Sequence, residues 1–206
     1  MHGRGCQRTA MSPRRALLLA TAALLAGCAT LPGTPPPERV HVGRFAATTT
    51  LDGRSENTTG RFTLAVAGDT LTLDLATPLG STLARVESSP AGAVLRASGG
   101  AGMQEARGRD ASALAEELLG FPLPVAGIAD WIVGRPAPGR PAQLHGDPRQ
   151  PQAIEQDGWR IDVLERFASG APRRLAFARP ARAGSATALP APAITLRLVL
   201  DDAPGA

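Results

Sequence analysis

Few side chains in this 206-residue sequence are placed to support a reaction. His145 sits in His145-Gly146-Asp147-Pro148, inside a proline-rich stretch where a solvated imidazole is expected rather than a general base. His41 opens the first β-prone segment, where pairing with a neighbour is the expected role. Glu116 and Glu117 fall in a helical pattern and read as its solvated face, and Asp201-Asp202 is weak as a cation site. No GxSxG, HExxH, CxxC or phosphate-loop pattern occurs. No nucleophile–base pair or metal set emerges, so neither enzymatic activity nor a bound cofactor is expected. Two other residues stand out. Cys28 closes an apolar run, and Leu79 occupies a turn tip, where polar residues normally face water.

The segment ending at Gly27 reads as an address rather than a fold. Arg14 and Arg15 precede an apolar run of eleven residues, Ala16 to Ala26, too short to span a bilayer as a helix. Met11 is an alternative start, since the signal is complete from there. Leu25-Ala26-Gly27-Cys28 resembles the lipobox of bacterial lipoproteins. That resemblance implies cleavage before Cys28, which then carries S-diacylglycerol and an N-acyl group. One acyl chain holds a protein to a membrane only marginally, whereas two or more anchor it. Ala29 stands where an Asp would resemble an inner-membrane retention signal, so the expected location is the outer membrane, facing the periplasm. Leu31 to Pro37 reads as a proline-stiffened tether. The expected division is a leader over 1–27, a lipidated cysteine and tether over 28–38, and one domain over 39–206.

Charge excludes nucleic acid. Of the 22 basic residues, Arg4, Arg8, Arg14 and Arg15 lie in the leader, and the remaining 18 match the 18 acidic residues. These arginines are scattered, apart from Arg173-Arg174, and form no phosphate-tracking stripe. The 179 residues from Cys28 onward suit one domain with a real core. With Cys6 in the leader, no cysteine remains for a disulfide, and packing alone must hold the fold.

The elements follow from periodicity. Val40 to Leu51 is β-prone and ends at Asp52-Gly53, a hairpin signal; Phe62, Leu64 and Val66 then share a face. Leu71, Leu73 and Leu75 alternate with Thr72 and Asp74, and Thr77-Pro78-Leu79-Gly80 fits a type I turn. Shorter strands are expected over Val94 to Ala97 and Gln104 to Arg107, around Ser98 to Gly102. At Asp110 the period changes. Asp110 can cap a helix with Ala111, Leu114, Ala115 and Leu118 on one face and Gly120 past its end. Pro124 suits the start of a second helix, Val125 to Val133, with Ile128, Trp131 and Ile132 on one face. Arg135 to Pro151 is expected to be loop. Asp157-Gly158 marks another hairpin, Leu175 and Phe177 a strand, Pro180 to Pro192 a loop, and Ile194, Leu196, Leu198 and Leu200 one face of the last strand. The total is nine to eleven strands with a helical pair inserted midway. Such one-sided strands bury their apolar face by closing, pairing or being covered.

Three segments together resemble the LolB family: Leu25 to Cys28, the strand-turn-strand from Leu71 to Val86, and Leu118 to Pro136 with its Leu-Pro break, Trp131 and Gly134-Arg135-Pro136. Gln156 to Val163 and Ile194 to Asp202 follow in the expected order. Membership implies a mainly β fold, an incomplete antiparallel barrel with a helical lid over about 110–134 and an apolar cavity. It also implies acceptance of lipoproteins from the periplasmic carrier LolA and their insertion into outer-membrane phospholipid, by a monomer. Phe62, Leu64, Leu71, Leu73 and Leu75 on the strands, with Leu114, Leu118, Leu123, Ile128, Trp131 and Ile132 in the helical part, are the implied cavity and lid residues. Pro78, Leu79 and Gly80 correspond to the family's exposed apolar tip. The alternatives are a leucine merely folded onto a neighbour and, for the whole chain, a structural outer-membrane lipoprotein that scaffolds an envelope complex.

Overall fold

The period-two stretches become strands whose apolar residues turn to one side of a single sheet. The computed structural model describes residues 36–100, 102–184 and 190–203; the leader, Cys28 and the tether up to residue 35 lie outside the described residues. Six strands come first: β1 (Arg39–Leu51), β2 (Arg54–Ala67), β3 (Thr70–Ala76), β4 (Thr82–Ser89), β5 (Gly92–Gly99) and β6 (Gly102–Gly108). Two helices follow, α1 (Ala111–Leu119) and α2 (Val125–Trp131). Then come β7 (Gln143–Asp147), β8 (Gln150–Gln156), β9 (Trp159–Arg166), β10 (Pro172–Arg179) and β11 (Ala193–Leu200). The eleven strands form one sheet in the order β6-β5-β4-β3-β2-β1-β11-β10-β9-β8-β7, antiparallel throughout. Because β6 and β7 stay at the two outer edges, the curved sheet is open, an incomplete barrel rather than a closed one.

Local rules place most joints. Asp52-Gly53 and Asp157-Gly158 both adopt positive φ at each residue, as a two-residue primed hairpin turn requires. The Asp110 carboxylate accepts from the backbone N–H groups of Ser112 (2.7 Å) and Ala113 (3.3 Å), which caps α1. Gly120 ends α1 in the left-handed region at φ 78°, its N–H donating to the Glu116 carbonyl. Pro124 occupies the cap position of α2 rather than its first turn, and the helix ends at Trp131, two residues earlier than expected.

The expected loop over Arg135 to Pro151 is corrected, since β7 and the start of β8 are drawn from it. Every residue of β7 is exposed, so this edge strand carries no apolar alternation to reveal it. His145 therefore lies on a strand, its Nε2 3.3 Å from a Glu155 carboxylate oxygen, not in a loop. Likewise β5 and β6 run longer than their apolar residues indicate, held by ladder pairing through the glycines at both ends.

Curvature has an identifiable source on β1 and β2. The register sets Phe45 opposite Gly60 and Phe62 opposite Gly43. Each ring lies over the facing glycine. A Cβ added at Gly60 would sit 2.1 Å from the Ala76 carbonyl oxygen and 2.7 Å from the Phe45 ring, and one at Gly43 2.2 Å from the Val199 oxygen and 2.8 Å from the Phe62 ring. Glycine on a pleat with an aromatic partner across from it is a device for bending a sheet.

His41 faces the same interior. It is 4 % exposed and its Nε2 has no hydrogen-bond partner, so the expected pairing role is not met. Burial, and secondarily the Arg39 cation, hold its pKa below the ordinary 6.5. The unfolded chain takes up this proton near pH 6.5 while the folded chain refuses it, so stability is complete above that pH and falls as pH drops through it. The urea midpoint of the parent should fall relative to that of His41→Leu on acidification from pH 7 toward 5, and parallel curves would refute this.

Candidate functional site

An apolar hollow of about 200 Å³ lies between the inner face of the sheet and the helical segment. Its strand wall is made by Phe45 and Ala47 (β1), Thr58 and Phe62 (β2), Leu73 and Leu75 (β3), Leu83 and Ala84 (β4), Ser98 (β5), and Leu196 and Leu198 (β11). Its roof is Leu119, Phe121, Leu123, Pro124 and Ile128. No charged side chain lines it. A space so bounded offers contact to hydrocarbon and, apart from the Thr58 and Ser98 positions, no partner for a polar group. A wider hollow of about 470 Å³ at Pro141, Glu155, Trp159 and Arg160 is charged and open, unsuited to that task.

Of the expected cavity residues, Phe62, Leu73, Leu75, Leu123 and Ile128 meet around this hollow. Leu64, Leu71 and Leu114 pack into the core away from it, and Leu118 is half-buried against that core. Ile132 is fully buried and does not line it. Trp131 has a different partner. Its ring folds onto Gly127, where a Cβ would come within 2.2 Å of it, and lies 6.4 Å from Phe177. Its Nε1 donates to Gln156 Oε1 at 2.7 Å, and the Ala137 N–H donates to the same oxygen at 2.8 Å. The Gln156 amide nitrogen returns bonds to the carbonyls of Ala137 (2.9 Å) and Arg140 (3.2 Å). One buried, fully satisfied amide thus pins α2 and the following loop to β8. By contrast, the roof residues Leu119 and Phe121 are only partly buried.

Phe45, Ala47, Thr58, Leu83, Ala84, Ser98, Leu119, Phe121, Pro124, Leu196 and Leu198 complete the hollow and were not among the expected residues. Alternation marks Leu196 and Leu198 as inward-facing, but only the β1–β11 register, Phe45 with Leu198 and Ala47 with Leu196, shows that they share this space.

The turn after β3 is tightly made. Gly80 N–H donates to the Thr77 carbonyl (2.9 Å), Thr77 N–H to the Ser81 carbonyl (2.8 Å), and Ser81 N–H to the Thr77 hydroxyl (3.1 Å). Gly80 has φ 92°, a left-handed value that glycine supplies without strain. Pro78 and Gly80 are exposed, and Leu79 projects from between them with 96 % of its surface in solvent. It is not folded onto a neighbour. The β9–β10 turn repeats the backbone bonds, Gly170 to Phe167 and Phe167 to Ala171, yet its tip is Ala168-Ser169. Turn geometry therefore does not call for an apolar tip.

Antiparallel register places the β3–β4 turn and the β9–β10 turn at opposite ends of the strands. Leu75 and Leu83, which line the hollow, flank the Leu79 turn. The exposed leucine and the hollow therefore share one end of the sheet. Among the described residues no helix is long and apolar enough to cross a membrane, and no group of three or more His, Cys, Asp or Glu is arranged to hold a metal ion.

Known proteins bear on this arrangement. Residues 40–202 match the family described as outer membrane lipoprotein LolB. The outer-membrane lipoprotein LolB of Ralstonia nicotianae is 36 % identical over 205 residues, covering 90 % of this chain and 95 % of that protein. Those of Bordetella petrii (41 % identical over 84 % of this chain and 88 % of that protein) and Cupriavidus pinatubonensis (41 % over 73 % and 75 %) are similar too. With the match running from the first strand to the end of the last, this chain belongs to the LolB family.

Proposed function

We propose that this chain is an outer-membrane lipoprotein receptor that takes the acyl chains of lipoproteins from the periplasmic carrier LolA and passes them into outer-membrane phospholipid. The observation that carries this reading is the uncharged hollow at the same end of the sheet as the fully exposed Leu79. Acyl chains in water cost ~0.8 kcal/mol per CH₂, so transfer has to run between shielded sites. An acceptor that holds them more tightly than the carrier and less tightly than the bilayer makes the passage downhill without nucleotide hydrolysis. In this reading Cys28 carries the acyl anchor, and Leu79 docks the mouth of the hollow on the membrane. Cavity and membrane contact are the work asked of these residues; no group is asked to make or break a bond.

In this reading the hollow widens to take a long acyl chain. Because Gln156 pins α2, the widening falls to the half-buried segment Leu118–Phe121. The test is transfer of a lipoprotein from its carrier complex to this chain and onward to phospholipid vesicles, without nucleotide. Transfer at both steps is expected. Failure to accept cargo, together with no binding of a fluorescent fatty acid, would overturn the reading and favour an envelope scaffold with a filled core.

A further inference from the structure

We infer that the tips of the β3–β4 and β5–β6 hairpins form one charge-free rim that rests in a phospholipid bilayer, with Met103 as a second contact beside Leu79. The inference builds on the membrane-docking reading of Leu79 given above. Its basis is a line of charge across the outer face of the sheet. Register sets Asp74, Arg85, Arg96 and Glu105 side by side on β3, β4, β5 and β6. Arg85 pairs with Asp74 at 2.9 Å, Arg96 with Glu105 at 2.6 Å, and Arg96 also reaches Glu87 at 3.4 Å. Beyond this row, toward the tips, charge stops. Leu75 to Ala84 are ten uncharged residues, and Ala97 to Gln104 are eight.

That boundary matches what a bilayer demands. A charge carried into hydrocarbon is costly, so a surface that dips into lipid must be free of charge to the depth it reaches. Arginines at the boundary can hold their stems along apolar surface with their heads in the interfacial layer. Past the boundary, Met103 is 58 % exposed and lies on the outer face of β6 with Glu105 and Arg107, opposite Ser98. A Cβ added at Gly100 or Gly102 beside it would meet nothing within 4 Å. The two tips stand two strand spacings apart, about 10 Å. One leucine is a pivot, whereas two apolar points fix the tilt of the sheet against a surface and so aim the hollow.

Other turns do not join a charge-free tip to an exposed large apolar side chain: the β4–β5 turn at the far end is uncharged from Ser88 to Leu95 but exposes only Pro90 and Ala91. At the same end, the β1–β2 turn places Asp52, Arg54 and Glu56 around Leu51. At the far end, Gly68-Asp69 and Pro148-Arg149 are polar or charged. The occupant is therefore a bilayer at one rim, not lipid wetting the molecule generally.

The test places a nitrobenzoxadiazole probe on a cysteine introduced into the full chain by Met103→Cys, Leu79→Cys or, at the opposite end, Ala91→Cys, with the parent chain as blank. Vesicles of phosphatidylethanolamine and phosphatidylglycerol should raise and blue-shift emission at 103 and 79, and leave 91 unchanged. A response at 79 without one at 103 overturns the rim while sparing the reading of Leu79; silence at both overturns both. A response at all three positions means non-specific adsorption and also overturns the rim. In release assays Met103→Glu should slow delivery to vesicles about tenfold, with Met103→Leu close to the parent. Normal delivery by the glutamate variant overturns the inference.

Discussion

Leu79→Glu should leave acceptance of lipoprotein intact and slow its release into vesicles by ~10- to 100-fold. The side chain is 96 % exposed, so the folded domain loses no packing with it, and thermal stability should stay within experimental scatter. What changes is the encounter with lipid. Burying a leucine is worth about 1.5–3 kcal/mol, and tenfold in an equilibrium costs about 1.4 kcal/mol, which sets the range. Glutamate adds the cost of bringing a carboxylate to the interface. Leu79→Phe should restore release, because any apolar side chain of sufficient area serves. The measurement is a two-step assay, scoring transfer from carrier to receptor and from receptor to vesicle separately. Unimpaired release by the glutamate variant would remove Leu79 from the mechanism. Impaired acceptance would mean that the tip contacts the carrier instead.

Gly60→Val should destabilise the domain by about 3 kcal/mol, near the upper end for overpacking a core. The added Cβ meets a backbone oxygen at 2.1 Å and the Phe45 ring at 2.7 Å, and only the ring can step aside. It would step into the hollow it lines, so residual folded protein should also bind a fluorescent fatty acid poorly. For a domain of this length the loss corresponds to a fall in melting temperature of roughly 6–12 °C. Gly53→Ala is the comparison, since its Cβ would meet nothing within 4 Å and only a positive φ is strained. An unchanged melting temperature for Gly60→Val would show that the bend in β1 and β2 does not depend on this glycine–phenylalanine pair.

Much of this arrangement is legible one segment at a time. The alternation of Leu71, Leu73 and Leu75, the Asp110 cap with Gly120 beyond, the paired Asp-Gly turns and the Thr77–Gly80 turn each express a rule about the nearest few residues. Strands, both helices and the position of Leu79 follow from such rules. The edge strand β7 does not, because a strand exposed throughout has no reason to alternate. Cavity residues divide the same way. Leu71 and Leu73 belong to one alternating face, yet Leu73 lines the hollow and Leu71 does not.

The chain alone, then, determined which faces are apolar, where the backbone must turn, and that one turn carries a leucine with no local reason to be there. Only the tertiary structure decided that Phe45 meets Leu198 from the far end of the chain, and that the hollow and Leu79 lie at the same end. The reason is physical. A period of two specifies the side of a sheet a residue faces, but its height along the strand is set by register with neighbours, and whether the space there is filled depends on side chains more than a hundred residues apart.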